Sequence, residues 1–555
     1  MTGTYQIDLD DLSGELGPLP DPSTPAGEAL AWWLERVRQR AHVGLKEELP
    51  SAPAIRVLRD RQLIAETPGS WAFVIRSPHS DAEAALRRNV WGLVAAAMER
   101  YAPAAIDRVS AVRLATGDES ILPKTWVRHG ASESKRTLQL AEGYSLLLHP
   151  DATLWTASPG PSEAVAAHID TTTIKLSTTP VVSVSVVGPA PLLMSLTVGD
   201  LRDNLDTIVI WLRTLLVGRA ALERAFSRDP RPVLLKRMGD LARDAGNTRL
   251  ANTIDEVVSA HSRGQISRSL TGVGRQFLVP GYLSRAPAAA SPWLERHRAR
   301  MARALDTASS LLASREAAMP RLDSAAVLAV ARAAKAEDTY HSTTIEGYRI
   351  TREEVRAVIE GQQYAGRSAA ETERLMALEG YAQAFDWTLV RIREAQPPAA
   401  RPSLTEAFIL NLFLELWAPS VDAGLVTAPD LRDWRNQAVQ INSSDHVPPA
   451  WEKLRGLMTQ FVSQLNDADV GPLARAVVAH WGFVHLHPFK DGNGRVARLM
   501  MNYLLGAAGL PWTTIRAEER ARYFAALERA HVHEDIVPFA EFIAGAVERS
   551  EAERE

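Results

Sequence analysis

Apolar residues recur at helical spacing through the second half of the chain, and this pattern predicts an almost wholly helical region from about residue 293 to residue 550. Within it, Ala474 to Val484 is apolar enough for a buried helix, and Val496 to Leu505 resumes a helical pattern. Between these stretches lie Pro488 and an Asp-Gly-Asn-Gly run, which break a helix. We therefore expect a loop whose end opens a new helix.

The first half of the chain mixes helical and strand patterns. Leu30 to Val43 and Ala52 to Gln62 predict two amphipathic helices, and Leu63 to Ile75 predicts a hairpin that turns at Pro68-Gly69. Val181 to Val187 alternates in part between apolar and polar residues, as a half-buried strand does. We therefore predict an α+β region ahead of a mainly α region.

Runs rich in proline, alanine and serine indicate where the chain divides, and Arg285 to Pro292 is the most pronounced of them. Pro18 to Pro25 is typical of a flexible lead-in, and Ser77 to Ser80 of a turn. The predicted division is a flexible N-terminus at 1–25, a helix-and-hairpin module at 26–80, an α+β domain at 81–284, a linker at 285–292 and a helical domain at 293–550.

Composition limits the kind of protein this chain can be. It has 555 residues and no cysteine, so neither a disulfide framework nor a thiolate metal site is available. The most apolar run, Val181 to Val198, is interrupted by Pro189 and Pro191, which argues against a membrane span. Met1 to Leu19 is acidic and polar, unlike a signal peptide, and the net charge of -4 does not decide whether nucleic acid is bound. We expect a cytoplasmic protein with no membrane partner.

The loop predicted between the two helices carries the candidate chemistry, since residues 487–498 read His-Pro-Phe-Lys-Asp-Gly-Asn-Gly-Arg-Val-Ala-Arg. Free backbone N–H groups and the positive dipole end at a helix start attract an anion, and Gly492 and Gly494 let the backbone approach a phosphate. Arg495 and Arg498 share one helix face, so two guanidinium groups can reach successive phosphates. The loop is therefore predicted to bind a polyphosphate.

Three other side chains of the loop have predicted roles. Asp491 offers the hard oxygen ligand that suits Mg²⁺. His487, with an ordinary pKa of about 6.5, suits a general base that takes a proton from an incoming hydroxyl. Phe489 is expected to anchor the loop in the core. Together these residue types predict a phosphate-transfer site.

With these residues the sequence resembles the Fic (Fido) family, whose signature His-x-Phe-x-Asp/Glu-Gly-Asn-Gly-Arg-x-x-Arg it matches at every defined position. The resemblance implies a Fic fold and a protein adenylyltransferase, which moves AMP from Mg-ATP to a Ser, Thr or Tyr hydroxyl of a protein. It implies that His487 is the base and that Asp491 binds the magnesium. It also implies that Arg495 and Arg498 contact the β- and γ-phosphates of ATP.

The glycines of the signature refine this expectation. In the family, Gly492, Asn493 and Gly494 correspond to the cradle of the α-phosphate. A branch that transfers a terminal phosphate instead carries lysine where this chain has Gly494. The glycine therefore favours nucleotidyl transfer over kinase chemistry.

Two flanking segments extend the resemblance. Downstream, Tyr523, Phe524 and His531 fall at positions of the family's adenine pocket, although the family commonly has asparagine in place of the last; helix packing is the alternative interpretation. Upstream, residues 435–449 resemble the family's flap, a short hairpin whose edge pairs with the backbone of the target. The edge would be formed by Val439, Gln440, Ile441 and Asn442.

The stretch Ser342-Thr-Thr-Ile-Glu-Gly347 fits the family's inhibitory pattern, Ser/Thr-x-x-x-Glu-Gly/Asn, and follows a helical pattern from Ala325 to Glu337. The resemblance implies an inhibitory helix near 325–347, ahead of a catalytic core at about 370–550. Glu346 would pair with Arg498 and remove the guanidinium that should hold the γ-phosphate. The alternative is a plain acid at a helix end before Gly347. Removal of AMP with the help of the same glutamate is a further hypothesis.

Arginines line the two helices predicted in the first half. Helix, helix and hairpin is the order of a winged helix, whose second helix enters the major groove of DNA. With Ala105 to Arg113, this part resembles the antitoxin regulators of type IV abortive-infection systems, whose second domain would correspond to the α+β region. The alternative is that the arginines form a solvated face. They are Arg36, Arg38 and Arg40 in the first helix, and Arg56, Arg59 and Arg61 in the second.

The sequence thus predicts a multidomain protein with a mainly α C-terminal Fic fold, a β-hairpin flap and an α+β N-terminal region containing a winged helix. Its favoured function is that of an autoinhibited adenylyltransferase whose partners are ATP and a target protein. The alternative is a DNA-binding regulator or antitoxin-like protein that contacts duplex DNA through residues 30–75 and uses the Fic region as a regulatory ATP-binding module. The intact signature favours the enzyme, and a homodimer is a further hypothesis.

Overall fold

The computed structural model describes residues 20–39, 41–77, 81–130, 134–151, 171–178, 181–261, 291–362, 368–398, 402–427, 431–441 and 444–554. The chain forms two compact units. Among the described residues, the N-terminal unit lies within Gly3–Arg296 and Val439–Val447, and the C-terminal unit lies within His297–Ala438 and Pro448–Glu555. The division falls within one helix, Pro292–Ala318.

The N-terminal unit begins with a small helix-and-hairpin module. Its elements are α1 (Pro25–Arg38), β1 (Val43–Leu45), a 3-10 turn (Lys46–Glu48), α2 (Ala52–Asp60), β2 (Ile64–Glu66) and β3 (Ala72–Ile75). β3 lies between the other two strands and is antiparallel to both. Gly69 and Ser70 have φ of 80° and 48° in the turn between β2 and β3, which fits the predicted hairpin at Pro68-Gly69.

Local sequence explains why this module folds as it does. Thr24 and Ser51 cap α1 and α2 by accepting hydrogen bonds from Gly27 N–H and Ala54 N–H. Trp33 is fully buried, and its indole N–H donates to the Leu63 carbonyl oxygen at 3.0 Å. Apolar residues of both helices and the hairpin therefore share one small core.

A mixed sheet of six strands follows in the same unit. Its strands are β4 (Ala104–Ile106), β5 (Lys124–His129), β6 (Arg136–Ala141), β7 (Tyr144–Pro150), β8 (Thr171–Lys175) and β9 (Ser183–Val187), in the spatial order β6-β7-β5-β4-β9-β8. β5 pairs in parallel with β7, and β4 with β9, while the other neighbours are antiparallel. The first half therefore contains two sheets, as the predicted α+β class requires.

Nine described helices complete the N-terminal unit. α3 (Ala82–Arg88), α4 (Val90–Arg100) and α5 (Arg108–Ala115) precede or interrupt the large sheet. The remaining six follow the last strand: α6 (Pro189–Ser195), α7 (Val198–Asp203), α8 (Leu205–Thr214), α9 (Arg219–Arg228), α10 (Pro232–Asp244) and α11 (Thr248–His261). Asp445 belongs to this unit, where its carbonyl oxygen accepts from Ile121 N–H at 3.1 Å and its carboxylate accepts from the Tyr144 hydroxyl.

The C-terminal unit is built from long helices. They are α12 (Pro292–Ala318), α13 (Ser324–Ile345), α14 (Arg352–Ile359), α15 (Ala369–Ala395), α16 (Glu406–Asp422), α17 (Leu454–Asp467), α18 (Pro472–Leu486), α19 (Asn493–Ala507), α20 (Arg520–Val532) and α21 (Val537–Ala552). Every residue of α18 from Leu473 onward is buried, and α19 is buried along nearly its whole length. These two adjacent helices form the centre of the unit, and the predicted loop joins them.

The predicted fold class is confirmed: the second half is mainly α and the first half is α+β. Two boundaries in the first half were predicted too late. The first helix ends at Arg38, and Val43 instead begins a strand that pairs with Val74. The second helix ends at Asp60, and Gln62 has φ of 57°, which no helix residue adopts.

The predicted hairpin flap is corrected by the structure, because none of the described residues between 435 and 450 lies in a strand. Val439, Gln440 and Ile441 form no ladder, and Asn442 lies outside the described residues. Pro448 and Pro449 have no N–H to give to a ladder. A side chain connects the two arms instead, since the Arg435 guanidinium donates to the carbonyl oxygens of Gln437 and Pro449 at 2.8 and 2.6 Å.

Several predictions concern residues that the structure does not describe. Most of the N-terminus predicted at 1–25, residues 78–80 of the predicted turn and residues 285–290 of the predicted linker all lie outside the described residues, as does Arg40. Within the described ranges, no helix combines the length and apolar character needed to cross a membrane.

Candidate active site

Two residues with left-handed backbone angles shape the loop between α18 and α19. His487 ends α18 with φ of 48°, and Gly492 precedes α19 with φ of 83°. Glycine adopts such an angle freely, whereas a residue with a side chain is strained by it. A Cβ on Gly492 would also lie only 3.0 Å from the Leu416 side chain. The loop therefore requires glycine at 492 and places the imidazole by a constrained backbone.

Asn493 closes this loop on itself. Its Oδ1 accepts a hydrogen bond from Phe489 N–H at 3.0 Å, and its Nδ2 donates to the Phe489 carbonyl oxygen at 2.9 Å. The Phe489 ring is buried and stacks on Phe413, with the ring centroids 3.6 Å apart. The Asn493 side chain thus holds the loop together, and its backbone N–H belongs to the first turn of α19, where N–H groups lack partners within the helix.

A carboxylate already lies at the start of α19. A Cβ on Gly494 would collide with the Glu346 carboxylate and would lie 3.2 Å from Nη1 of Arg498. First-turn N–H groups lack partners within their helix and attract anions. Glu346 therefore occupies the anion-binding end of the helix, and glycine at 494 leaves the room that it needs.

Arg498 is held from two sides by the end of helix α13. Its Nη2 lies 2.7 Å from Oε1 of Glu346, its Nε donates to the Ser342 hydroxyl at 2.6 Å, and Nη2 also donates to the Ser342 carbonyl oxygen at 2.9 Å. The contact between Glu346 and Arg498 uses one guanidinium nitrogen, because Ser342 accepts from the Nε. Burial alone would lower the pKa of Arg498, and the Glu346 charge reverses this and raises it.

Gly347 completes the predicted inhibitory pattern. It follows Glu346, the C-terminal cap of α13, and has φ of 96°, so the chain turns away from the helix at once. The structure therefore brings Ser342, Glu346 and Arg498 together. Gly347 forms the turn that follows them.

Asp491 and Arg495 form a second charged pair in the loop. Nη2 of Arg495 lies 3.3 Å from Oδ2 of Asp491, and the arginine side chain is only 1% exposed. Burial tends to raise the pKa of Asp491, but the Arg495 charge and the Gly492 backbone N–H outweigh this and lower it. Asp491 is therefore an ionised carboxylate, and its side chain keeps 27% of its surface exposed. These properties fit a hard divalent cation such as Mg²⁺.

His487 has the environment of a neutral base. Its Nδ1 lies 3.3 Å from the Val484 carbonyl oxygen, so this nitrogen carries the proton in the tautomer that makes the hydrogen bond. Nε2 is buried and has no hydrogen-bond partner within the described part of the chain. Burial, followed by the nearby Arg435 charge, lowers the pKa of His487 to about 4. A lone pair is therefore available at neutral pH.

The three residues predicted for an adenine pocket have different environments. The Tyr523 ring is buried, with its hydroxyl 2.9 Å from Nε2 of His480. His531 is buried too, and its Nδ1 lies 3.3 Å from Nδ1 of His485. Phe524 is 38% exposed beneath the Arg520 guanidinium, 4.7 Å from it. Of the three, only Phe524 is exposed.

Sequence reasoning missed Asp338, which lies on the same helix face as Ser342 and Glu346. Its Oδ2 accepts from the Tyr381 hydroxyl at 2.8 Å, and its Oδ1 accepts from the Thr514 hydroxyl at 3.0 Å. Burial raises the pKa of Asp338 although these hydrogen bonds oppose the shift. Its spacing of four residues from Ser342 was the available signal, because such residues share a helix face.

Arg435 is a second residue for which no role of its own was predicted. Besides the two carbonyl oxygens already described, its Nε donates to the His487 carbonyl oxygen at 2.8 Å, and its backbone N–H donates to that of Pro488 at 2.8 Å. The residue that carries the candidate base is thus fixed from outside its own loop. No local sequence pattern signals a contact of this kind.

The geometry of the helical unit fits one class of site, that of nucleotide transfer, because a helix start, two buried arginines on that helix and a buried imidazole lie together. Residues 404–505 match the Fic/DOC family. The signature loop lies within the matched residues.

Relatives with curated names match the same part of the chain. "Protein adenylyltransferase Fic" of Nematostella vectensis is 34% identical over 215 residues, which are 38% of this chain and 46% of that protein. The protein of the same name from Drosophila ananassae is 31% identical over 231 residues, 41% of this chain and 43% of the relative. The chain thus spans about half the length of the curated relatives that it matches.

Solved structures with a Fic domain are similar at lower identity. A Fic domain containing signaling protein from Bacteroides thetaiotaomicron is 20% identical, with a TM-score of 0.36, over 44% of this chain and 95% of that one. Fic-1 from C. elegans is also 20% identical, with a TM-score of 0.34, over 62% of this chain and 96% of the solved fragment.

Proposed function

We propose that this chain is a protein adenylyltransferase that moves AMP from ATP to a hydroxyl group of a protein side chain. The observation that carries the proposal is that Nε2 of His487, which has no hydrogen-bond partner among the described residues, lies beside the start of α19, the helix that also bears Arg495 and Arg498. The Fic/DOC match of residues 404–505 and the names of the similar proteins support it. The absence of lysine at Gly494 favours nucleotidyl transfer.

In the proposed reaction, Nε2 of His487 takes the proton of the target hydroxyl, and the hydroxyl oxygen attacks the α-phosphorus. A bond forms between that oxygen and the phosphorus while the bond from the phosphorus to the α,β-bridging oxygen breaks, and pyrophosphate leaves. The start of α19, at Gly492 to Gly494, would hold the α-phosphate, and Arg495 and Arg498 the β- and γ-phosphates. Mg²⁺ at Asp491 would offset phosphate charge when it is bound.

The proposed resting form is inhibited. Glu346 lies 2.7 Å from Arg498 and beside Gly494, where an anionic ligand would meet the helix start. A carboxylate and a phosphate cannot both occupy this position without strong repulsion. We therefore expect ATP to bind in a non-productive pose until Glu346 moves.

Substitution of Glu346 tests the reaction and its inhibition together. Wild type, Glu346→Gly and Glu346→Gly with His487→Ala are incubated with cell lysate and ATP labelled on either the α- or the γ-phosphate. Because a buried charge-assisted contact is worth about 1.5–3 kcal/mol, we expect Glu346→Gly to raise transfer of the α-label at least about 10-fold. The second substitution should abolish transfer.

A matched control and the choice of label sharpen this experiment. Glu360 caps helix α14 just before Gly361, as Glu346 caps α13 before Gly347, but it lies on the surface. Glu360→Gly should leave transfer at the wild-type level. Transfer of the γ-label would contradict nucleotidyl transfer, and equal α-label transfer by Glu346→Gly and wild type would contradict the inhibition.

Duplex DNA is a second proposed partner, through residues 30–75. The supporting observation is the order of elements α1, β1, 3-10 turn, α2, β2 and β3, which is that of a winged helix. Arg38, Arg56 and Arg61 are exposed in this module. The domain division, a homodimer, removal of AMP and a cytoplasmic location stay predictions.

A further inference from the structure

Arg495 is enclosed by two aromatic rings in addition to its acid partner. Its guanidinium carbon lies 5.3 Å from the ring centroid of Trp417 and 5.6 Å from that of Tyr348. Both distances are within the range of cation–π attraction. Since the side chain is 1% exposed and also contacts Asp491, its pose is set by these three neighbours.

Rings and acids contact different parts of a guanidinium group. An aromatic ring attracts the flat face, and an anion binds the N–H groups at the edge. Nε of Arg495 has no hydrogen-bond partner in the described part of the chain, and Asp491 contacts only Nη2. The contacts with two rings and Asp491 therefore hold the guanidinium and still leave its Nε N–H for a phosphate.

Tyr348 reaches this place from the inhibitory segment. It follows Glu346 and Gly347, and the left-handed angle of Gly347 turns the chain between them. Its ring also packs against the apolar cluster of Ile350, Val355, Leu375 and Leu378, so its own position is fixed. One short segment thus places a carboxylate beside Arg498 and an aromatic ring beside Arg495.

We propose that Tyr348 is a positioning residue that holds the Arg495 guanidinium in the pose that meets the β-phosphate of a nucleotide. The inhibitory segment then has two opposite roles, because Glu346 blocks one arginine and Tyr348 prepares the other. This inference rests on the proposed function only for the identity of the phosphate. It also means that deleting the segment differs from replacing Glu346 alone.

The test compares AMP, which has no β-phosphate, with ADP, which has one. Binding of each nucleotide is measured by calorimetry in the Glu346→Gly chain, alone and with Tyr348→Ala, Tyr348→Leu or Tyr348→Phe. Loss of a cation–π contact should weaken ADP binding about 5–10-fold, since such contacts are worth about 1 kcal/mol and each 1.4 kcal/mol changes an affinity about tenfold. AMP binding should change less than about twofold, as estimated for a site whose AMP contacts stay intact.

The three substitutions distinguish the effect of the aromatic ring from that of apolar packing. Tyr348→Phe keeps the ring and should preserve ADP binding, whereas Tyr348→Leu keeps apolar bulk without the ring and should behave as Tyr348→Ala does. Tyr340→Ala is the matched control, because Tyr340 packs on the same cluster but lies over Arg352, outside the site. It should leave the ratio of ADP to AMP affinity unchanged.

Three outcomes would overturn the proposal. AMP and ADP binding could weaken equally, or neither could weaken. ADP could also bind more tightly without the ring, which would mean that Tyr348 obstructs the nucleotide. In the same chains the KM for ATP should rise with Tyr348→Leu, and Tyr348→Phe should restore it. If Glu346→Gly transfers no AMP but the ADP-to-AMP difference appears, the proposed function fails and the role of Tyr348 stands. If transfer occurs and the difference is absent, only the role of Tyr348 fails.

Discussion

At the scale of single residues, His487 shows how burial sets the chemistry of one side chain. Its imidazole would be partly protonated near neutral pH if it were exposed, since its ordinary pKa is about 6.5. Burial and the Arg435 charge lower that pKa to about 4, and the Val484 carbonyl oxygen fixes the proton on Nδ1. Nε2 is therefore ready to accept a proton throughout the physiological range.

This leads to a prediction about pH dependence. Because the pKa is lowered, the base is protonated only at lower pH, and we expect AMP transfer by Glu346→Gly to stay level from about pH 8 to about pH 5 and to fall below that, as a base with a pKa near 4 requires. The measurement is the initial rate at saturating ATP across this range. A midpoint near 6.5 would mean that the imidazole is solvated in the active form.

Stability must be followed in the same samples. The folded pKa of His487 lies below its unfolded value of about 6.5, so the stability that comes from the neutral ring is present above that pH and is lost as pH falls towards 4. Burial also lowers the pKa of His480 and His297, each to about 3. Far-UV circular dichroism at each pH distinguishes loss of the base from loss of the fold.

At the scale of elements, the last turns of α13 are unusual because they are polar and buried. Asp338, Thr339, Ser342 and Thr343 are each at most 3% exposed. Buried polar groups need partners, and Tyr381, Thr514 and Arg498 supply them for Asp338 and Ser342, while the Thr343 hydroxyl donates to a backbone carbonyl oxygen of its own helix. These contacts fix the rotation of the helix about its axis and its position along that axis. Glu346 is thereby placed opposite Arg498.

We predict that Asp338 contributes strongly to stability. Asp338→Ala leaves the buried Tyr381 hydroxyl and the half-buried Thr514 hydroxyl without their acceptor, so the free energy of unfolding should fall by about 2–4 kcal/mol. Asp338→Asn keeps an acceptor and should cost less. Urea unfolding followed by tryptophan fluorescence measures both.

A surface pair between the same helices is the control for this prediction. Asp386 of α15 pairs with Lys335 of α13 at 2.7 Å and is largely exposed. Asp386→Ala should cost less than about 1 kcal/mol, as exposed ion pairs do. If Asp338→Ala cost no more than this, the buried contacts would not be what holds the helix.

Across the whole molecule, a feature could be predicted from sequence when the residues that form it are close together along the chain. The signature loop was predictable because its glycines, acid and arginines are neighbours in sequence and the chain break is visible there. Tyr348 and Asp338 were not, because their partners lie in other helices. The hairpin flap was predicted wrongly, because a single guanidinium rather than a strand ladder connects its arms.

The N-terminal module carries a prediction of its own. If it binds DNA, the full-length chain should bind a labelled duplex with an affinity that falls between about 50 and 200 mM salt, because phosphate contacts release counterions. Arg56→Glu with Arg61→Glu should weaken binding, measured by fluorescence anisotropy. Arg59→Ala is the milder control, because Arg59 is already engaged by Glu66 at 2.8 and 2.9 Å. An affinity that does not vary with salt would rule out this partner.

The Arg435 guanidinium has a consequence for how such a site can change over evolution. It donates hydrogen bonds to the backbone carbonyl oxygens of Gln437, Pro449 and His487, and so holds these three residues close together. The two ends of the stretch between Gln437 and Pro449 are thus held together, and Asp445 within it is held by the hydrogen bonds already described. We expect substitution of exposed side chains in this stretch to leave the base in place, so that partner choice can diverge while the chemistry stays constant.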